Sequence, residues 1–279
     1  MFGKISHTWS MMKLSWSVLK QDKELLAFPL ISGVLSLLVI ASFIAPMVWG
    51  PQLYKTFGQN GSTGDILFYA YLLGFYVVSS FVVIYFNSAL VACANLRLEG
   101  GDPNISYGLK EANSRFGSII GWALIAGTVG FVIRLIEERF EGLGRFIAGL
   151  FGAIWTLITF FVIPFLVIEN KSPVDALKES GALFKETWGE QLSANFSFGL
   201  IFFLLSIPGI LVMGGSIALG PQLMWVGIAL GGFYLLALML ISSALSAIFQ
   251  TALFRYAKYG SVSGEFTEEM LNNTVRTFE

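Results

Sequence analysis

Charge is what this sequence has least of. Aspartate, glutamate, lysine and arginine make up 13% of its 279 residues, and apolar residues 55%. Soluble domains carry about 25% charged residues, so half of the solvating surface a water-soluble chain needs is missing. With mean hydropathy at +0.72, the chain reads as an integral membrane protein. Cysteine is reduced to Cys93 and histidine to His7. One cysteine excludes an intrachain disulfide, and the two together are too few for a His/Cys metal site of the usual kind. Carboxylate-only sites for magnesium or calcium stay open on composition alone. A basic excess is missing too: the net charge of -1 supplies no field to hold nucleic acid. The apolar runs contain no aspartate or glutamate for a proton relay. No acid–base or nucleophile constellation is visible either, so neither enzymatic activity nor a cofactor is expected. The first apolar run is too long for a signal-peptide core and ends without a small-x-small site, so the N-terminus is not expected to be a cleavable signal.

What is present is length. About 20 apolar residues cross a bilayer as a helix, and six segments qualify: 25–49, 66–94, 117–136, 144–168, 193–219 and 222–254. Only Gly220-Pro221 divides the last two, which predicts a very short turn. Basic residues orient the spans. Thirteen of the 17 lysines and arginines fall before span one, between spans two and three, between four and five, and after six, leaving Lys55, Arg134, Arg139 and Arg145 on the other side. Both termini are therefore expected in the cytoplasm. Trp9, Trp16 and Trp188 at the inner side, and Trp49 and Trp225 at the outer, fit interfacial belts, while Trp122 and Trp155 fall inside spans.

Each inner segment carries a helical apolar stripe. Phe2, Ile5, Trp9, Met12, Trp16 and Leu19 form the first, Ile105, Leu109, Ala112 and Phe116 the second, and Val174, Leu177, Gly181, Phe184 and Trp188 the third. Asp102-Pro103 and Ser172-Pro173 supply an N-cap residue followed by proline at N1. Segments 2–21, 103–115 and 173–189 are thus predicted as amphipathic helices in the membrane interface. Sequence matches recur with them. Leu109-Lys110-Glu111 parallels Leu177-Lys178-Glu179, and Phe86-Asn87-Ser88-Ala89-Leu90 parallels Phe249-Gln250-Thr251-Ala252-Leu253. The expected fold is all-α and polytopic, with six transmembrane helices as three hairpins, each preceded by a cytoplasmic interfacial helix. It forms one membrane domain over 1–279, built of 1–94, 95–168 and 169–256 as parallel repeats and closed by a tail over 257–279. A weaker stripe through Phe266, Met270, Thr274 and Phe278 marks that tail.

Pro164-Phe165-Leu166-Val167-Ile168-Glu169, then Asp175-Ala176-Leu177-Lys178-Glu179-Ser180 and Trp188-Gly189-Glu190, resemble an uncharacterised prokaryotic family of six-span membrane proteins, a domain of unknown function. The run from Trp16 to Pro29 and Ala252-Leu253-Phe254-Arg255-Tyr256-Ala257 fit the same family. More distantly, the chain is similar to the membrane domain fused to glycerophosphoryl diester phosphodiesterases. The resemblance implies a bacterial or archaeal plasma membrane and brings no catalytic residues.

Few side chains are left as candidates. Arg134 is the one clear charge between span ends, and Glu137 and Glu138 follow at i+3 and i+4. A local ion pair stands beside a gating or anion-binding role. Asn87, Gln250 and Thr251 should face the bundle interior, either as interhelical glue or as the lining of a substrate path. Lys13, Lys20, Lys110, Lys178 and Lys185 flank the apolar stripes and are candidates for lipid headgroups. Gly117-x-x-x-Gly121 and Gly227-x-x-x-Gly231 read as ridges for close helix approach. Two functions from different classes follow. One is a non-enzymatic membrane protein organising lipid or a cytoplasmic protein partner through its interfacial helices. The alternative is a permease or channel for a small solute or lipid, with its path between the hairpins. Oligomeric state stays open.

Overall fold

The computed structural model describes residues 13, 15–49, 62–140, 143–217 and 220–260, with side chains at all of these except 62–64, 143, 187–198, 200 and 221. Among them every regular element is helical. A 3-10 turn at Lys23–Leu26 leads into α1 (Ala27–Trp49), followed by α2 (Ser62–Leu98), α3 (Ile105–Ser114), α4 (Phe116–Arg139), α5 (Leu143–Ile158), α6 (Val162–Val167), α7 (Pro173–Ile217) and α8 (Pro221–Tyr259). Five stretches are long and apolar enough to cross a membrane: Lys23–Trp49, Asp65–Leu98, Phe116–Arg139, Gly144–Val167 and Gln222–Tyr259. Where a sixth span is expected, over 193–219, the described apolar stretch is the shorter Ile201–Ile217.

The chain divides into two compact units. One unit comprises Leu30–Ala92 and Ile105–Phe184. Within it the Tyr71 hydroxyl donates to the Phe43 carbonyl at 2.6 Å, and Phe43 packs against Tyr71 and Phe75 with ring centroids 5.0 and 5.4 Å apart. These contacts join α1 to α2. Helix α2 meets α4 at Gly127, where a Cβ would lie 2.7 Å from the Val77 Cα. Only glycine permits that approach. Helices α4 and α5 are clasped by the stacked Trp122 and Trp155 rings, 5.8 Å apart.

The second unit comprises Met1–Pro29, Cys93–Asn104 and Lys185–Glu279. Its helical pair is the end of α7 against α8, turning at Gly220 with φ of 96° and Pro221 at the helix start. Glycine supplies the left-handed conformation, and proline its missing N–H where no helical partner exists. Gly227 and Gly231 lie directly against α7, where the Ser216 side chain and the Gly209 carbonyl leave no room for a Cβ. This ridge is one of close approach. Gly117 has nothing within 4 Å, so in Gly117-x-x-x-Gly121 only Gly121 meets a neighbour, the Pro173 ring.

Three expectations about helix ends need correction. Asp102 does not cap the second amphipathic helix, which begins at Ile105. Its carboxylate takes the Arg97 guanidinium at 2.6 Å instead, since a charge-assisted bond outcompetes a backbone amide. The third amphipathic segment, 173–189, is not a separate helix either, because α7 continues through it for 45 residues. No proline interrupts Val174–Ile207, and its three glycines cost about 1 kcal/mol each, which a long run of good helix formers outweighs, so the hydrogen-bond ladder propagates. Finally, the stretch 144–168 is broken at Thr159–Phe161 between α5 and α6. Pro164 has no N–H to offer the Phe160 carbonyl. The first amphipathic segment lies mostly outside the described residues, as does the 266–278 stripe.

Candidate functional site

The long helices outrun a bilayer. At about 1.5 Å per residue, the 37 residues of α2 and 39 of α8 exceed the roughly 30 Å of hydrocarbon. Their C-terminal ends, with the N-terminal segment, carry a cluster of charges within the second unit. Arg97 on α2 donates through Nε and Nη2 to both oxygens of Asp22, a carboxylate that is only 6% exposed. A bidentate guanidinium is the partner that lets a buried carboxylate stay satisfied. The same Nη2 reaches Asp102 at 2.6 Å. On α8, Arg255 Nη1 donates to Glu99 at 2.6 Å and to the Asn95 side-chain oxygen at 2.7 Å, and its guanidinium lies 5.8 Å from the Tyr259 ring.

Local folding sets this cluster. Gly100 at φ of 87° ends α2, and the Gly101 amide returns to the Leu96 carbonyl at 2.9 Å, which is a glycine-stopped helix end. The chain therefore reverses within reach of Arg97, and the Cys93 thiol donates to the Asn104 carbonyl at 3.5 Å. Every carboxylate named here faces a guanidinium, so the arrangement ties three segments together. Asp22 and Arg255 stand in two of the motif runs, and nothing in sequence spacing pairs them with Arg97 and Glu99. The available signal was the charge-rich run 20–24, with Asp22 at its centre, directly before an apolar stretch.

A second polar joint lies within the other unit, at the break before α6. Ser180 is fully buried. Its hydroxyl accepts from the Phe161 amide at 3.0 Å and donates to the Ile158 carbonyl at 2.5 Å, satisfying two groups that the Pro164 break releases. Asn170 at φ of 52° then turns the chain, as asparagine tolerates. Ser172 caps α7, accepting from the Asp175 amide at 3.3 Å and donating to its carboxylate at 2.7 Å. Lys171 pairs with Glu179 at 2.7 Å, and that carboxylate holds the ammonium above the usual lysine range. The motif residues Asp175, Glu179 and Ser180 thus have structural work to do.

The candidate residues fall as follows. Arg134 lies 3.6 Å from Glu137 and 2.9 Å from Glu138, with all three side chains a third or more exposed. Asn87 and Gln250 are half-buried and belong to different units. Thr251 is fully buried, and its hydroxyl donates to the Ala247 carbonyl of its own helix at 2.8 Å. The two matched pentapeptides share one burial pattern, every residue buried except the amide at the second place. Lys13, Lys20, Lys110, Lys178 and Lys185 are all exposed. Among the described residues no three side chains of His, Cys, Asp or Glu gather as metal ligands would.

Residues 66–264 match the DUF6159 family, a family of unknown function. The chain belongs to that family. The match takes in the Ser180 joint, Arg97, Glu99 and Arg255, while Asp22 precedes it. No curated protein matches the chain.

Proposed function

We propose that this DUF6159 member is a non-enzymatic integral membrane protein that gathers lipid through basic faces on its cytoplasmic side. In this reading six helices cross a prokaryotic plasma membrane as three hairpins with both termini inside. The shared burial pattern of the 86–90 and 249–253 pentapeptides supports the repeat. The carrying observation is that all five lysines beside the apolar stripes stand exposed. In α3, Lys110 is exposed while Ala112 is fully buried, so one face is committed to protein and the other is free to meet a charged surface. Each lysine at an anionic surface contributes about 1 kcal/mol. The remoter likeness to the phosphodiesterase membrane domain adds no catalytic residue to this reading.

The test replaces Lys110, Lys178 and Lys185 together by glutamine and measures phosphatidylglycerol recovered with the purified protein. A severalfold loss relative to phosphatidylcholine is the expected result. Unchanged recovery of both lipids would reject the role of these faces.

A further inference from the structure

The second unit contains a cleft of about 360 Å³ lined by Lys13, Trp16, Phe202, Leu205, Leu238, Ile241 and Leu245. Its volume lies in the range of ligand pockets, roughly 300–1,000 Å³. Among the described residues that line it, six are apolar or aromatic and the seventh is a cation. Leu238, Ile241 and Leu245 share one face of α8 and extend the cleft about 10 Å along that helix. A neighbouring cavity of about 370 Å³ shares Phe202 and Leu238 with it and adds Ser206, Ser242 and Ser243 to its lining, so the trench continues with a more polar wall. The Ser206 hydroxyl that lines this continuation is already bonded to the Phe203 carbonyl at 2.7 Å.

Water is a poor occupant of the cleft at Lys13, because a buried water needs two to four polar partners and the described lining there offers the lysine alone. An empty space of this size forfeits the dispersion contacts of its whole lining. We propose that the cleft seats an acyl chain of an anionic bilayer phospholipid, with the headgroup at Lys13. The inference rests on the lipid-gathering reading and gives it a discrete site. Charge complementarity selects the occupant. Lys13, Trp16 and Lys20 follow at i, i+3 and i+7, and the Lys20 ammonium lies 5.7 Å from the Trp16 ring. Two cations and an interfacial aromatic thus stand on one face, beside an otherwise apolar cleft. An amphiphile with a negative head and a long chain matches both halves.

The experiment is native mass spectrometry of the full chain, released from micelles after incubation with phosphatidylglycerol or phosphatidylcholine. The wild type should retain one phosphatidylglycerol in preference to phosphatidylcholine. Lys13→Gln should weaken that retention about fivefold, the worth of one basic residue at an anionic surface. Ile241→Trp, which fills the trench, should abolish it. Circular dichroism confirms the fold of each variant, and Leu205→Phe replaces Ile241→Trp should that protein not fold. Wild-type retention by both the lysine and the filling variant overturns the proposal. So does equal retention of the two lipids, or a protein dimer that the filling variant dissolves. If the triple lysine variant loses lipid while the cleft variants do not, the cleft assignment falls and the broader reading stands. Loss confined to the cleft variants supports the cleft and removes the role of the other faces.

Discussion

Asp22 is the residue on which the polar cluster turns. A carboxylate 6% exposed is tolerable only while Arg97 meets both of its oxygens. Removing one member of a buried pair costs about 3–5 kcal/mol, and Arg97 is itself partly exposed, so the lower end applies. Arg97→Gln should therefore lower the unfolding midpoint in detergent markedly. Arg97→Lys should restore little, because an ammonium cannot offer the planar fork. Equal midpoints for Arg97→Gln and wild type would show that the pair holds nothing. Serines make a second contrast. Ser180→Ala orphans the buried Phe161 amide and should cost about 1–3 kcal/mol. Ser88 is just as buried, yet its hydroxyl has no hydrogen-bond partner among the described residues, so Ser88→Ala should be neutral or stabilising in the same melt.

At the scale of the element, glycines separate contact from composition. Gly127→Ala places a methyl against the Val77 backbone, which cannot yield as a flexible side chain does, and overpacking costs about 1–3 kcal/mol. Gly117→Ala meets open space and should stabilise by up to about 1 kcal/mol through helix propensity. Thermal melts of the two variants should move in opposite directions. The Lys171–Glu179 link across the start of α7 has a pH signature. Its folded lysine is raised, so its contribution is complete below the ordinary lysine value and disappears as pH climbs through the raised one. A melt of Glu179→Gln should accordingly differ from wild type at neutral pH and converge on it in strong alkali.

For the whole molecule, topology is the quantity to measure. Single cysteines at Lys13, Lys110 and Lys178 in a Cys93→Ala background should label from the cytoplasmic side alone, and one at Glu138 from the other. Labelling of any of the three lysine positions only from outside would reverse the proposed orientation. Much of the helical content was legible in the chain, because a run such as 222–254 has no charged residue and no proline to stop it and Gly220-Pro221 can only turn. The third amphipathic stripe was read as a helix of its own, since periodicity reports a face and says nothing of where a ladder ends. Helix type, apolar length and the sparse charge were determined by sequence alone, as each depends on residues near one another in the chain. The pairing of Asp22 with Arg97, the use of Ser180 to mend the Pro164 break, and the choice of Gly127 over Gly117 for close approach were decided only in the tertiary structure. Those contacts join residues between 19 and 75 positions apart, and no local propensity can say which partner a folded chain brings near.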